Sequence, residues 1–229
     1  MPVQIVHQST EINSFELALW HPSEDVSVML EQWQIAKPGG ILPAHLKAEH
    51  RKKEWLATQL LLLRLDINEV FYLSNGKPVL NNGFVSVSHS EGFVVVASSL
   101  ERIGVDIQMP VEKVLSIRAK FSSPSERFWL DTEHERVRAY TVVWSIKEAV
   151  YKYFGERVAF ADDIEVVPFK CDDQEFSAHY RGVHGEFVFR LWHVSLFGLE
   201  LVVAHKVDSH LALSFSFFLY LYSLRTTEF

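Results

Sequence analysis

Apolar positions along the chain fall into short runs of two different periods. Positions 15–20 fit one strand in an otherwise mixed N-terminal stretch. Residues 43–65 predict a helix. Its run of Trp55, Leu56 and Leu60 to Leu63 is dense enough to be largely buried, with Arg51, Lys52 and Lys53 about one turn ahead of it. Asn75-Gly76-Lys77-Pro78 and Asn81-Asn82-Gly83 are turn signals. Residues 84–88 alternate as a strand and 93–98 are continuously apolar. His89-Ser90-Glu91-Gly92 joins the two into a hairpin. Another short strand, 103–108, is ended by Pro110.

Further on, short helical pieces at 116–120 and 124–130 precede a long helix over 135–154, stopped by Gly155. Strands are predicted at 164–167, 176–180, 186–193 and 199–204. The second half thus repeats the order of the first, helix and then antiparallel strands. This predicts an α+β fold of two similar lobes with mainly antiparallel sheets, divided at 1–104 and 105–229. Residues 206–229 form an apolar tail with no assigned role. Within it the alternation of Leu211, Leu213, Phe215 and Phe217 predicts an added strand or a packed extended segment. The uncharged run 211–224 is too short to span a bilayer.

Composition narrows the function classes. The chain has 229 residues, 48% hydrophobic and 22% charged, which is globular composition. Its net charge is −7. Up to Gly104 there are 8 basic and 11 acidic residues, and beyond it 14 and 18, so neither half is basic and nucleic-acid binding is not expected. An anionic ligand would need a local basic pocket. The single cysteine, Cys171, excludes an internal disulfide framework and fits a reducing cytoplasm. The N-terminus lacks a basic start followed by an apolar run, so no signal peptide is expected.

Two spacings carry chemistry. In Ile103-Gly104-Val105-Asp106-Ile107-Gln108, alternation sends the apolar residues one way and Asp106 and Gln108 the other, while Gly104 permits close approach to the backbone. A carboxylate and an amide oxygen on one face could ligate a hard cation such as Mg²⁺. The alternative is an edge strand with its polar residues in water. In the long helix, Val142, Val143, Ile146, Ala149, Val150 and Tyr153 share one face. Trp144, Glu148 and Lys152 line the opposite face, with Lys147 at the flank. Glu148 could hold a metal, Lys152 could neutralise a phosphate and Trp144 could pack on a ligand. The alternative is an i,i+4 ion pair on a solvated face. Ser88-His89-Ser90 at the hairpin could hold phosphate oxygens or be ordinary turn polarity. No P-loop, G-x-G-x-x-G or G-x-S-x-G occurs.

Taken in order, Gly76-Lys77-Pro78, Ser88-His89-Ser90, Gly104-Val105-Asp106-Ile107, Lys120-Phe121 with Glu126, and Trp144-Ser145-x-Lys147-Glu148-Ala149-x-x-Lys152 resemble the 4′-phosphopantetheinyl transferase superfamily. The length resembles its larger, pseudo-dimeric, surfactin-synthetase-activating type. The resemblance implies two α+β lobes with coenzyme A in a cleft between them. It implies a cytoplasmic, monomeric enzyme that moves phosphopantetheine from coenzyme A to a serine of an acyl or peptidyl carrier protein, with no membrane or nucleic-acid partner. Carried over by motif, Asp106 and Glu148 would ligate Mg²⁺ and Lys152 would contact the pyrophosphate, with Glu148 also the base. Ser88 and His89 would contact phosphates. Gly76, Lys77 and Pro78 would line the adenine–ribose end, and Arg51 or Lys52 would meet the 3′-phosphate. Trp144 and Lys147 complete the ligand contacts. Gln108 stands where many larger members have an acid, and would be a weaker third ligand. Rival readings are a non-catalytic coenzyme A-binding relative, a metal-dependent phosphohydrolase, and an interaction protein using the apolar tail.

Overall fold

In a computed structural model, which describes residues 4–9, 14–74 and 76–207, the chain opens with two antiparallel strands, β1 (Gln4–Ser9) and β2 (Ser14–Trp20). Helices α1 (Val26–Ala36) and α2 (Glu49–Arg64) follow. A two-residue pair, β3 (Phe71–Tyr72) and β4 (Pro78–Val79), then leads into the hairpin β5 (Phe84–Ser90) and β6 (Phe93–Ser99). The main sheet has the order β1-β2-β6-β5 and is antiparallel throughout. Leu56, Leu60 and Leu61 of α2 pack with Trp20, Val94 and Val96 in its core. Chain contacts divide after this hairpin: one unit ends at Leu100 and the next begins at Glu101.

The helix predicted over 43–65 starts only at Glu49. Its N-cap is Ala48, in extended backbone with no side chain to bond the first turn. Helix α1 and strand β1 were not predicted. In α1 only Met29 and Trp33 are buried, one per turn, which leaves a weak periodic signal.

The second unit begins with β7 (Gly104–Gln108), followed by α3 (Lys113–Ile117), a 3₁₀ turn at Arg118–Lys120, α4 (Pro124–Leu130) and α5 (Arg136–Phe154). The helical piece predicted at 116–120 therefore starts three residues earlier and tightens at its end. Helix α5 stops at Gly155, whose left-handed φ of 89° suits glycine and whose N–H bonds the Tyr151 carbonyl. Then come α6 (Phe160–Asp163) and the strands β8 (Ile164–Val166), β9 (Glu175–Gly182), β10 (Gly185–Leu196) and β11 (Leu199–Lys206). The sheet order is β7-β11-β10-β9-β8, with every neighbour antiparallel. Val142, Val143, Ile146, Ala149 and Val150 of α5 are fully buried against it. Each unit thus sets one long helix on an antiparallel sheet, an α+β fold. Among the described residues no helix is long and apolar enough to cross a membrane. The run 211–224 lies outside the described residues.

Candidate active site

Strand β7 places its polar residues as alternation requires. Val105 and Ile107 are fully buried, and Asp106 and Gln108 share the other face, where Gln108 Nε2 donates to Asp106 Oδ2 at 3.0 Å. That face meets α5. A Cβ built on Gly104 would lie 1.9 Å from the Ala149 carbonyl oxygen and 2.7 Å from the Tyr153 nitrogen, so only glycine lets the helix backbone come this close. Asp106 is 1% exposed. A carboxylate that deep needs a partner, and Lys152 Nζ donates to its Oδ1 at 2.7 Å. Glu148 lies one turn before Lys152. Burial first, and then the negative charge of Asp106, push its carboxyl up to about 7, against the pull of Lys152. Asp106, Gln108, Glu148 and Lys152 therefore converge.

The donor set there is two carboxylates and one amide, all hard oxygen. Among the described residues no group of three or more His, Cys, Asp or Glu side chains is arranged to hold a metal. Two carboxylates still fit Mg²⁺, which keeps several waters and takes few protein ligands. The raised Glu148 titration, caused first by burial and then by the charge of Asp106, fits as well, since Lys152 offsets the two carboxylates only in part.

One expected ligand contact, that of Lys147, does not hold. Lys147 does not sit at an open flank. It is 0% exposed, and its ammonium donates to Glu126 Oε2 at 2.6 Å and to the carbonyls of Phe160 and Ile164, both at 2.8 Å. All three N–H bonds are committed, so Lys147 has none left for a ligand. Trp144 does leave the core stripe, yet its ring packs edge-on against Phe121 and Phe160, at 5.1 and 5.6 Å between centroids. Phe121, just after the 3₁₀ turn, and Phe160, the first residue of α6, cover part of its ring. The residue whose role was missed is Glu126. Ser123 and Glu126 form a capping box for α4, and Glu126 Oε1 also accepts from the Val166 N–H at 2.8 Å. The Ser-x-x-Glu spacing ahead of an apolar turn was the available signal.

In the first unit, Arg51 and His89 come together through Glu54. Arg51 Nη1 bonds Glu54 Oε2 at 2.9 Å and lies 3.5 Å from His89 Nε2, and His89 Nδ1 lies 3.5 Å from Glu54 Oε1. Ser88 is buried and its neighbour His89 exposed, as strand alternation requires. Lys52 is half-buried on α2. Gly76, at a φ of 82°, turns the chain: its N–H bonds the Leu73 carbonyl, and Lys77 returns a carbonyl to Leu73 N–H. Pro78 opens β4 opposite Tyr72.

The sequence model of the 4′-phosphopantetheinyl transferase superfamily matches residues 102–212. The chain is 31% identical over 84 residues to 4′-phosphopantetheinyl transferase gsp of Aneurinibacillus migulanus, covering 35% of each chain. It is 28% identical over 106 residues to 4′-phosphopantetheinyl transferase HetI of Nostoc sp. (strain PCC 7120), covering 42% of this chain and 45% of that one. A 4′-phosphopantetheinyl transferase of Bacillus subtilis is 29% identical over 97 residues, 42% and 43% of the two chains. These matches span less than half the length of each relative. Over residues 102–212, the stretch that holds Asp106, Glu148 and Lys152, the chain is therefore similar to the 4′-phosphopantetheinyl transferase superfamily.

Proposed function

We propose that this chain transfers the 4′-phosphopantetheine arm of coenzyme A to a serine hydroxyl of an acyl or peptidyl carrier protein, acting as a monomer in the cytoplasm. The observation that carries the reading is the convergence of Asp106, Glu148 and Lys152 between β7 and α5. The step is a displacement at phosphorus. The serine Oγ bonds to the β-phosphorus of the coenzyme A pyrophosphate. The bond from that phosphorus to the bridging oxygen breaks, and its electron pair leaves on adenosine 3′,5′-bisphosphate.

Each residue has a part that follows from its chemistry. The serine must lose a proton, and the Glu148 carboxylate, beside Asp106 and Lys152, accepts it. Lys152 brings an ammonium to the pyrophosphate. Asp106 and Glu148 would hold Mg²⁺, with Gln108 beside them; the ion supplies stabilisation of the charge that builds on the leaving phosphate. Arg51 or Lys52 binds the 3′-phosphate, Ser88 and His89 bind phosphate oxygens, and Gly76, Lys77 and Pro78 line the adenine–ribose end. Glu54 keeps Arg51 and His89 oriented.

The test mixes the full chain with coenzyme A, Mg²⁺ and a panel of apo carrier proteins, and reads intact mass. A phosphopantetheine adduct on the carrier serine supports the reading. Coenzyme A breakdown without a carrier points to a phosphohydrolase. Coenzyme A binding without turnover points to a non-catalytic relative.

A further inference from the structure

The second unit holds another buried charged cluster, built on Glu200. Glu200 of β11 is 3% exposed. Its Oε1 accepts from Arg138 Nε at 2.7 Å, and its Oε2 accepts from the Ser195 hydroxyl and lies 2.7 Å from His193 Nε2. Arg138 also donates to Asp172 Oδ1, to the Cys171 carbonyl and to Ser195. Burial alone would raise the Glu200 carboxyl, but hydrogen bonds from His193, Ser195 and Arg138, with the charge of Arg138, hold it below its ordinary value. It is an anion in the interior, and Arg138 is the fixed cation that keeps it there.

The place of this cluster in the fold gives it a use. Glu200 stands directly across the ladder from Gln108, and Val202 across from Asp106, so Glu200 and Asp106 lie on one sheet face. Arg138 and Lys152 are fourteen residues apart on α5. At 100° per residue that returns to within about 40° of the same stripe, roughly 21 Å along the axis. Helix α5 is therefore tied to the β7–β11 pair by two ion pairs on one seam, Arg138–Glu200 at its start and Lys152–Asp106 at its end. The proposed reaction makes demands on the second tie only, because there Asp106 turns to a cation and Lys152 to a phosphate.

We propose that Arg138 and Glu200 are positioning residues of this site: their ion pair holds α5 on the β7–β11 strands while Asp106 and Lys152 exchange each other for metal and phosphate. This rests on the transfer reading for the identity of those ligands. It differs from plain structural support in a measurable way. Ordinary support stabilises the free and the loaded protein alike and leaves affinity unchanged. A tie that matters most when the other is relaxed stabilises the loaded state more, so its loss lowers affinity.

The experiment titrates Mn²⁺ alone into the full chain and into Arg138→Met, by calorimetry and by the metal-induced rise in Tm. About a tenfold weaker Kd and a smaller rise in Tm are expected in a variant that melts cooperatively. Arg138→Lys, which keeps the charge, should recover part of the loss. If Arg138→Met does not fold, Glu200→Gln, which keeps the shape and the acceptor oxygen, takes its place with the same expectation. Equal Kd values in folded variant and parent overturn the proposal, and so does a parent that binds no Mn²⁺. A parent that binds Mn²⁺ and modifies no carrier protein, with the variant still weaker, overturns the transfer reading and leaves this one standing.

Discussion

Lys147 Nζ lies 2.6 Å from Glu126 Oε2, and neither side chain reaches solvent. Burial lowers the Lys147 ammonium below its ordinary value, and the adjoining Glu126 opposes that shift. One carboxylate thus joins α4 through its capping box, β8 through the Val166 N–H, and α5 through Lys147. Next along α5, Glu148 turns instead toward Asp106. Consecutive residues of one motif therefore do different work, Lys147 fixing the wall and Glu148 facing the site.

Removing one partner of this pair should leave the other charge buried and uncompensated. Lys147→Met or Glu126→Gln should each cost about 3–5 kcal/mol in urea unfolding. The double variant Lys147→Met with Glu126→Leu should cost less than the sum of the two singles, because no charge is then stranded. A single Lys147→Met that unfolds at the parent's urea midpoint would refute the structural role.

Glu148 makes the site sensitive to pH. Its carboxyl titrates near 7 in the folded protein against 4.5 ordinarily. Between those values the folded protein holds a proton that the unfolded chain has released, so stability attributable to this group falls as pH rises from 4.5 to 7. Mg²⁺ needs the ionised form. As pH falls below about 6 its affinity should therefore drop about tenfold per unit, with close to one proton released on binding. Asp106→Asn removes the neighbouring negative charge and should move the Glu148 titration down, as read by carboxyl ¹³C shifts. A Glu148 titration left in place would mean that Asp106 does not act on it.

The two strongest local patterns carried much of this site into view. Alternation in β7 is sufficient to put Asp106 and Gln108 together, because a strand has only two faces. Helical period likewise placed Glu148 and Lys152 on one side of α5. It failed for Lys147, because what covers a helix flank is decided by chain outside the helix: Glu126 from one side, Phe160 and Ile164 from the other. The Arg138–Glu200 pair was invisible for the same reason, being 62 residues apart. Helix α1 escaped because its two buried residues, Met29 and Trp33, give a narrow stripe.

Gly104 is where strand and helix touch. Gly104→Ala would place a Cβ against the Ala149 carbonyl and the Tyr153 nitrogen, which are backbone atoms and cannot rotate aside. The strand must shift off α5, and Asp106, two residues on, shifts with it. About 3 kcal/mol or more of destabilisation is expected. In whatever protein remains folded, metal binding should weaken as well. Parent-like stability in chemical denaturation would show that the two backbones can separate freely.

Gln108 is the last residue of β7, and its amide donates to the same carboxylate that Lys152 holds from the other side. Gln108→Glu replaces that donor with a second anion facing Asp106. Without metal, the hydrogen bond is lost and two carboxylates repel, so the variant should melt below the parent. With Mg²⁺ the added charge becomes a ligand or an attraction close to the ion. At an effective dielectric near 20, after desolvation is subtracted, a gain of roughly 1–2 kcal/mol is expected, which lowers the Mg²⁺ needed for half-maximal effect about tenfold. Two measurements on each protein test this: Tm without metal, and a Mg²⁺ titration followed by Tm and by turnover at saturating coenzyme A. The variant should start lower, rise further and saturate earlier. A variant that starts lower but saturates at the same or higher Mg²⁺ concentration would mean that position 108 meets Asp106 and not the ion, and the metal would then rest on Asp106 and Glu148 alone.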